Sequence, residues 1–160
     1  MGAGAVSAVS ARHSVTGYLH GPAHRMLACL PSPSAPLRIL VAEDDQGVAR
    51  LYAAYAQSRG HEVIVARDGP ETLVAAVTEL PDLVMLDIGM PKLDGRDVLR
   101  QLKANPRTAQ IPVLVVTALG GDQNLRDLLV ELGAVDVLEK PVDLAIAFNK
   151  AERAVGRAAS

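Results

Sequence analysis

From residue 37 onward the chain alternates between two hydrophobic periods. Short apolar runs at residues 37–42, 61–66, 82–87, 111–117 and 135–138 read as strands. Helical spacing fills the gaps at 46–59, 70–79, 95–104, 122–132 and 142 to about 155. Val48, Leu51, Tyr52 and Tyr55 form one helical stripe, Val98, Leu99 and Leu102 another, and Leu125, Leu128 and Leu129 a third. Gly60 and Gly133 stop two of these helices, and Pro70 suits the first turn of another. The central apolar runs are nearly continuous, so they predict a parallel sheet covered on both faces. Five βα units with right-handed crossovers favour an α/β fold, a doubly wound five-stranded parallel sheet. It is flavodoxin-like, (β/α)5, with strand order 2-1-3-4-5.

Composition narrows this picture. Nearly half of the 160 residues are hydrophobic, yet there is no Trp, one Phe and three Tyr, so Ala, Val, Leu and Ile must fill the core. The net charge of −2 gives no sign of direct nucleic-acid binding. No apolar run reaches the roughly 20 residues that span a bilayer. The single Cys29 excludes an intrachain disulfide and fits a reducing, cytoplasmic compartment.

Residues 1–36 break the pattern. They hold Arg12 and Arg25 and no acid, and end in Pro31-Ser32-Pro33-Ser34-Ala35-Pro36. The segment reads as a disordered extension, or as a start assigned too early with Met26 as an alternative. A targeting leader is the weaker reading, because Arg12, His13, His20, His24 and Arg25 interrupt every candidate apolar stretch. The histidine spacing matches no compact metal site, and Cys29 has no partner. About five residues follow the last predicted helix, too few for an output module.

The chemistry sits at the carboxyl ends of the predicted strands, where open α/β sheets bind ligands. Glu43-Asp44-Asp45 closes the first strand, Asp87 the third and Thr117 the fourth, and Lys140-Pro141 follows the fifth. Each alone has a plain structural reading as a cap, a turn residue or a solvated charge. Asp45 in particular suits the N-cap of the following helix. Together they suit phosphoryl acceptance. Transfer to a carboxylate brings two anions together, so the site must neutralise them. Asp44 and Asp87 can hold Mg²⁺ with Glu43 assisting, Lys140 adds a fixed positive charge, and Thr117 can donate to a phosphoryl oxygen. Asp87 is the candidate nucleophile, since carboxylates form acyl phosphates.

These segments resemble the receiver domain of two-component response regulators: Ile39-Leu40-Val41-Ala42-Glu43-Asp44-Asp45, Leu83-Val84-Met85-Leu86-Asp87-Ile88-Gly89-Met90-Pro91, Asp94-Gly95, Val115-Val116-Thr117-Ala118 and Gly133 to Pro141. The resemblance places a receiver domain at residues 37–157. It implies that a sensor histidine kinase or phosphotransfer protein phosphorylates Asp87. It implies that Asp44, Asp87 and the Gly89 backbone carbonyl bind Mg²⁺ with help from Glu43, and that Thr117 and Lys140 contact the phosphoryl group. A cis Lys140-Pro141 bond is implied as well.

Three departures stand out. Val137 replaces the Tyr or Phe frequent three residues before the lysine, so no ring can swing there. Gly89 leaves the flank of Asp87 open. Leu119-Gly120-Gly121 reads as a flexible connection.

The expected function is a stand-alone, Mg²⁺-dependent phosphorylation switch, not an enzyme acting on external substrates. It would present its fourth-helix, fifth-strand, fifth-helix face to a downstream protein, with homodimerisation possible. A phosphorylation-independent adaptor, or a phosphate shuttle or sink in a relay, is the alternative. A phosphohydrolase ranks last, because Gly89 stands where an aspartyl-phosphate hydrolase carries its second acid.

Overall fold

The computed structural model describes residues 35–158. The reading of residues 1–36, with His13, His20, His24 and Cys29, therefore lies outside the described residues except at Ala35 and Pro36. Among the described residues the strands are β1 (Arg38–Ala42), β2 (Glu62–Ala66), β3 (Leu83–Leu86), β4 (Val113–Thr117) and β5 (Asp136–Glu139). The helices are α1 (Gln46–Ser58), α2 (Gly69–Glu79), α3 (Gly95–Ala104), α4 (Gln123–Glu131) and α5 (Leu144–Ala158). The sheet is parallel throughout, in the order β2-β1-β3-β4-β5. This is the expected fold. No helix among the described residues is long and apolar enough to cross a membrane.

Successive strand residues point to opposite faces, and both faces are dry. Leu40, Ala42, Val84, Leu86, Val113 and Val115 pack on one side against Ala76 of α2, Val98, Leu99 and Leu102 of α3, and Leu129 of α4. Ile39, Val41, Leu83, Met85, Leu114 and Val116 pack on the other against Tyr52 and Ala56 of α1 and Ala147, Phe148 and Ala151 of α5. Two covered faces explain why β1, β3 and β4 lack polar alternation.

Aspartates begin the helices. Asp45, Asp68, Asp94 and Asp122 are the N-caps of α1 to α4, and each side chain accepts from a backbone N–H of the first turn. Asp143, just before α5, accepts from Ile146 N–H. A carboxylate at this position satisfies orphan donors and opposes the positive end of the helix dipole. Asp45 is thus the cap that its sequence position suggested.

Three local expectations need correction. Leu51 is exposed, because the buried face of α1 runs through Ala49, Tyr52 and Ala56. β5 begins one residue later than expected, which leaves Val135 exposed while Val137 is buried opposite Val115. Gly120 is buried, and a Cβ there would lie 2.7 Å from the Glu139 Cα. That glycine permits a close approach of two backbones, so it seats the turn after β4 against β5.

Gly95 has a similar role. A Cβ at this position would lie 2.5 Å from the Ile88 Cα, so α3 can begin only if residue 95 has no side chain. Gly95→Ala should lower stability by about 1–3 kcal/mol through overpacking, read as a lower urea midpoint. An unchanged midpoint would contradict this packing.

Candidate functional site

The parallel sheet brings the ends of β1, β3, β4 and β5 to one edge. Glu43 and Asp44 follow β1, Asp87 follows β3, Thr117 ends β4, and Lys140 follows β5. Backbone bonds fix these ends relative to one another. Asp87 N–H donates to Ala42 O at 3.0 Å, Glu43 N–H to Ala66 O at 2.9 Å, and Lys140 N–H to Thr117 O at 3.0 Å. The Lys140-Pro141 bond is cis, as the resemblance implied.

Lys140 lies between the acids. Its Nζ donates to Glu43 Oε2 at 2.6 Å and to Asp87 Oδ2 at 3.0 Å. The other Asp87 oxygen, Oδ1, accepts from Gly89 N–H at 3.0 Å. Glu43 is buried, with 2% of its surface exposed, and its Oε1 accepts from Asp45 N–H at 3.3 Å. Burial pushes the Glu43 carboxyl up, and its hydrogen bond and attraction to Lys140 recover only part of that rise. Burial pulls the Lys140 ammonium down, but its bonds to Glu43 and Asp87 outweigh burial and hold it above the ordinary lysine value. The pair is therefore unequal. The ammonium is securely charged, while the carboxylate beside it ionises against the cost of burial.

Asp44 is exposed and completes a group with Glu43 and Asp87. Each of the three offers a carboxylate oxygen within 4.8 Å of the others. Clustered hard oxygen donors on a partly open edge fit a small divalent cation that retains some of its waters. The Gly89 carbonyl accepts no hydrogen bond among the described residues, so it is free to serve as a ligand. Thr117 is buried, and its Oγ1 accepts from Leu119 N–H at 3.3 Å. Its own proton has no acceptor among the described residues and is available to donate.

Sequence reading missed two features. Tyr52, read only as part of an apolar stripe, is 5% exposed and lies within the electrostatic reach of Lys140, Glu43 and Asp87. Burial raises its phenol pKa. Its helical spacing signalled core, and nothing in the spacing signalled the neighbouring charges. The second feature is Lys92, whose backbone is left-handed at φ 71° and whose ammonium pairs with Asp68 at the start of α2. That pair ties the loop after Asp87 to the loop after β2. A non-glycine residue at positive φ leaves no sequence signal.

Known proteins resemble this chain in sequence and in fold. The model of the response regulator receiver domain family matches residues 39–151. The response regulator PleD of Caulobacter vibrioides is 43% identical over 113 residues, covering 71% of this chain and 25% of that protein. The chain spans less than half the length of the curated relatives that it matches. Two solved structures align closely. One is the receiver domain of a sensor histidine kinase from Pseudomonas aeruginosa PAO1, with a magnesium ion coordinated in its active-site cleft. It has TM-score 0.69 and 27% identity, covering 76% of this chain and 99% of that one. The other is the beryllofluoride-activated receiver domain of Klebsiella pneumoniae RstA, with TM-score 0.68 and 30% identity, covering 74% and 97%.

The Glu43 shift has a consequence for pH. A carboxyl that is raised in the folded chain binds its proton more tightly there than when unfolded. Stability therefore falls as pH rises from about 4.5 through the folded value. In metal-free buffer, Glu43→Gln should raise the melting temperature at pH 7, and the gain should shrink toward pH 4. A variant that is less stable at pH 7 would contradict this sign.

Proposed function

This chain belongs to the response regulator receiver family, and on that footing we propose that it is a phosphorylation switch whose phosphoacceptor is Asp87. The observation that carries this reading is the shared ammonium: Lys140 Nζ contacts Asp87 and Glu43 together, beside a carboxylate trio suited to a divalent cation. In the proposed reaction an Asp87 oxygen bonds to phosphorus as the bond from phosphorus to the donor's histidine nitrogen breaks and that nitrogen keeps the electron pair, while Lys140 neutralises one phosphoryl oxygen and Thr117 donates a hydrogen bond to another. Glu43, Asp44, Asp87 and the Gly89 carbonyl would hold Mg²⁺, which supplies the remaining charge neutralisation.

Receiver domains take their phosphoryl group from histidine kinases or phosphotransfer proteins, and we assign such a donor here. The chain turns over no external substrate in this reading, and a cytoplasmic location belongs to the same proposal.

The output is a change of protein contact, without direct nucleic-acid or membrane binding. Val137 is buried and carries no ring, so the signal needs another route. The turn after β4 offers one. Thr117 O accepts from Lys140 N–H, and Gly120 sits against the Glu139 backbone. A pull on Thr117 or Lys140 by the phosphoryl group is therefore felt where β4 meets β5 and where α4 begins. The face formed by α4, β5 and α5 carries exposed Val130, Val135 and Ile146 around Asp136, which pairs with Lys150 and lies 3.9 Å from Arg126 Nη2. We assign partner binding to this face, with a downstream protein or a second copy as occupant.

Incubation with acetyl phosphate and Mg²⁺ should add one phosphoryl group by intact mass. Asp87→Asn should abolish the gain, and EDTA should suppress it. Equal incorporation in the variant would overturn the assignment. If partner affinity is the same with and without phosphate, the chain is the unphosphorylated adaptor that Val137 also allows.

A further inference from the structure

Helices α3 and α4 pack over the same face of the sheet, and their charges are opposite. From Lys92 to Arg107 the chain carries five bases and two acids, and from Asp122 to Leu132 three acids and one base. That one base, Arg126, turns toward β5, where it donates to Gly120 O and faces Asp136. Asp127 and Glu131 of α4 are exposed and form no ion pair among the described residues. Arg96 and Arg100 of α3 are also exposed, and each is paired only with an acid of its own helix start, Asp94 and Asp97. Exposed pairs of that kind contribute little, so both guanidinium groups remain open to a further carboxylate.

A groove of about 460 Å³ separates the two helices. Ile88, Leu119, Leu125 and Leu128 supply its apolar part, with Asp94 and Arg96 on the α3 rim and Asp122 and Asn124 on the α4 rim. Leu119 is 59% exposed, and neither it nor Leu128 packs into the apolar cluster on either face of the sheet. Lys103 of α3 sets the register of the helices. Its stem lies so close to Gly133, just past α4, that a Cβ there would be 2.9 Å from the Lys103 Cγ. Both helices run back over parallel strands and so share one direction. Arg100 therefore stands near the level of Glu131, and Arg96 near that of Asp127.

This face is basic along one side, acidic along the other and apolar between them, so it complements itself under a two-fold rotation. We propose that a second copy of the chain seats on it, about an axis parallel to the helices, with α3 of each copy lying on α4 of the other. That rotation keeps the levels of the residues. It brings Arg100 to the other copy's Glu131 and Arg96 to its Asp127, and the two Leu128 side chains meet near the axis. An axis across the helices would instead stack α3 on α3 and set arginine against arginine. The face formed by α4, β5 and α5 is separate, because α4 turns its Val130 side to that face and its Leu128 side to this groove.

Sedimentation velocity on the full chain, over the micromolar to millimolar range, should show a monomer–dimer equilibrium. Arg100→Glu and Glu131→Arg should each raise the dissociation constant by at least about tenfold, because a reversal enters a two-fold interface twice. The double variant Arg100→Glu/Glu131→Arg carries the swapped pair in both copies, so it should return to within about threefold of the unaltered chain. Both sites are exposed, and recovery in the double variant shows that the single variants did not fail by unfolding. Ile146→Lys, on the α4, β5 and α5 face, should leave the dimer intact. A chain that stays monomeric throughout would overturn the proposal and leave the groove to another protein. A dimer that survives both single reversals, that Ile146→Lys breaks, or that the double variant does not restore would overturn it as well. No phosphodonor is present, so none of these results depends on Asp87.

Discussion

One ammonium shared by two carboxylates organises this molecule. Glu43 and Asp87 come from different strands, and Lys140 from a third segment, yet Nζ reaches both within hydrogen-bond distance. Removing a buried charge from water costs several kcal/mol, and a pair recovers that only with good geometry. Here the recovery is incomplete for Glu43, whose carboxyl remains raised. A fold selected only for stability would place apolar groups at this edge. Keeping three acids and one lysine there is a local cost accepted for the sake of a site that binds a cation and an anion together.

The rest of the structure holds that cluster in place. Both faces of the sheet are packed, so β1, β3 and β4 cannot shift relative to one another without opening the core. Their carboxyl ends are then fixed, and the acids with them. Gly95 lets α3 start against Ile88, which sets the path of the loop after Asp87. Gly120 lets the turn after β4 rest on β5, which joins Thr117 to Lys140 mechanically as well as by their backbone bond. A clasp far from the site completes the frame. The buried His61 accepts from Leu37 N–H and contacts Glu152 of α5 at 2.9 Å, and Arg59 forms two further bonds to the same carboxylate.

Much of this was legible in the sequence, for physical reasons. Continuous apolar runs such as Leu83-Val84-Met85-Leu86 can be satisfied only by burial on both faces, so the sheet type followed directly. Parallel order then placed Glu43, Asp44, Asp87, Thr117 and Lys140 on one edge. What escaped was anything set by tertiary context. Leu51 is more apolar than Tyr52 beside it, and only the rotation of α1 decides that Tyr52 is buried and Leu51 is not. Glycine at 120 reads as flexibility when seen alone, and as close packing once Glu139 lies against it. The Tyr52 hydroxyl gained its charged surroundings from side chains 9 residues before it and 35 and 88 residues after it.

The central claim is that the shared lysine and the acid trio together bind a phosphoryl group on Asp87. Beryllofluoride binding, followed by fluorine NMR with and without Mg²⁺, tests it most directly. The account predicts a bound resonance that requires Mg²⁺ and is lost in Asp87→Asn. A folded wild-type chain that shows no bound resonance at saturating Mg²⁺, or one that persists in Asp87→Asn, would contradict it.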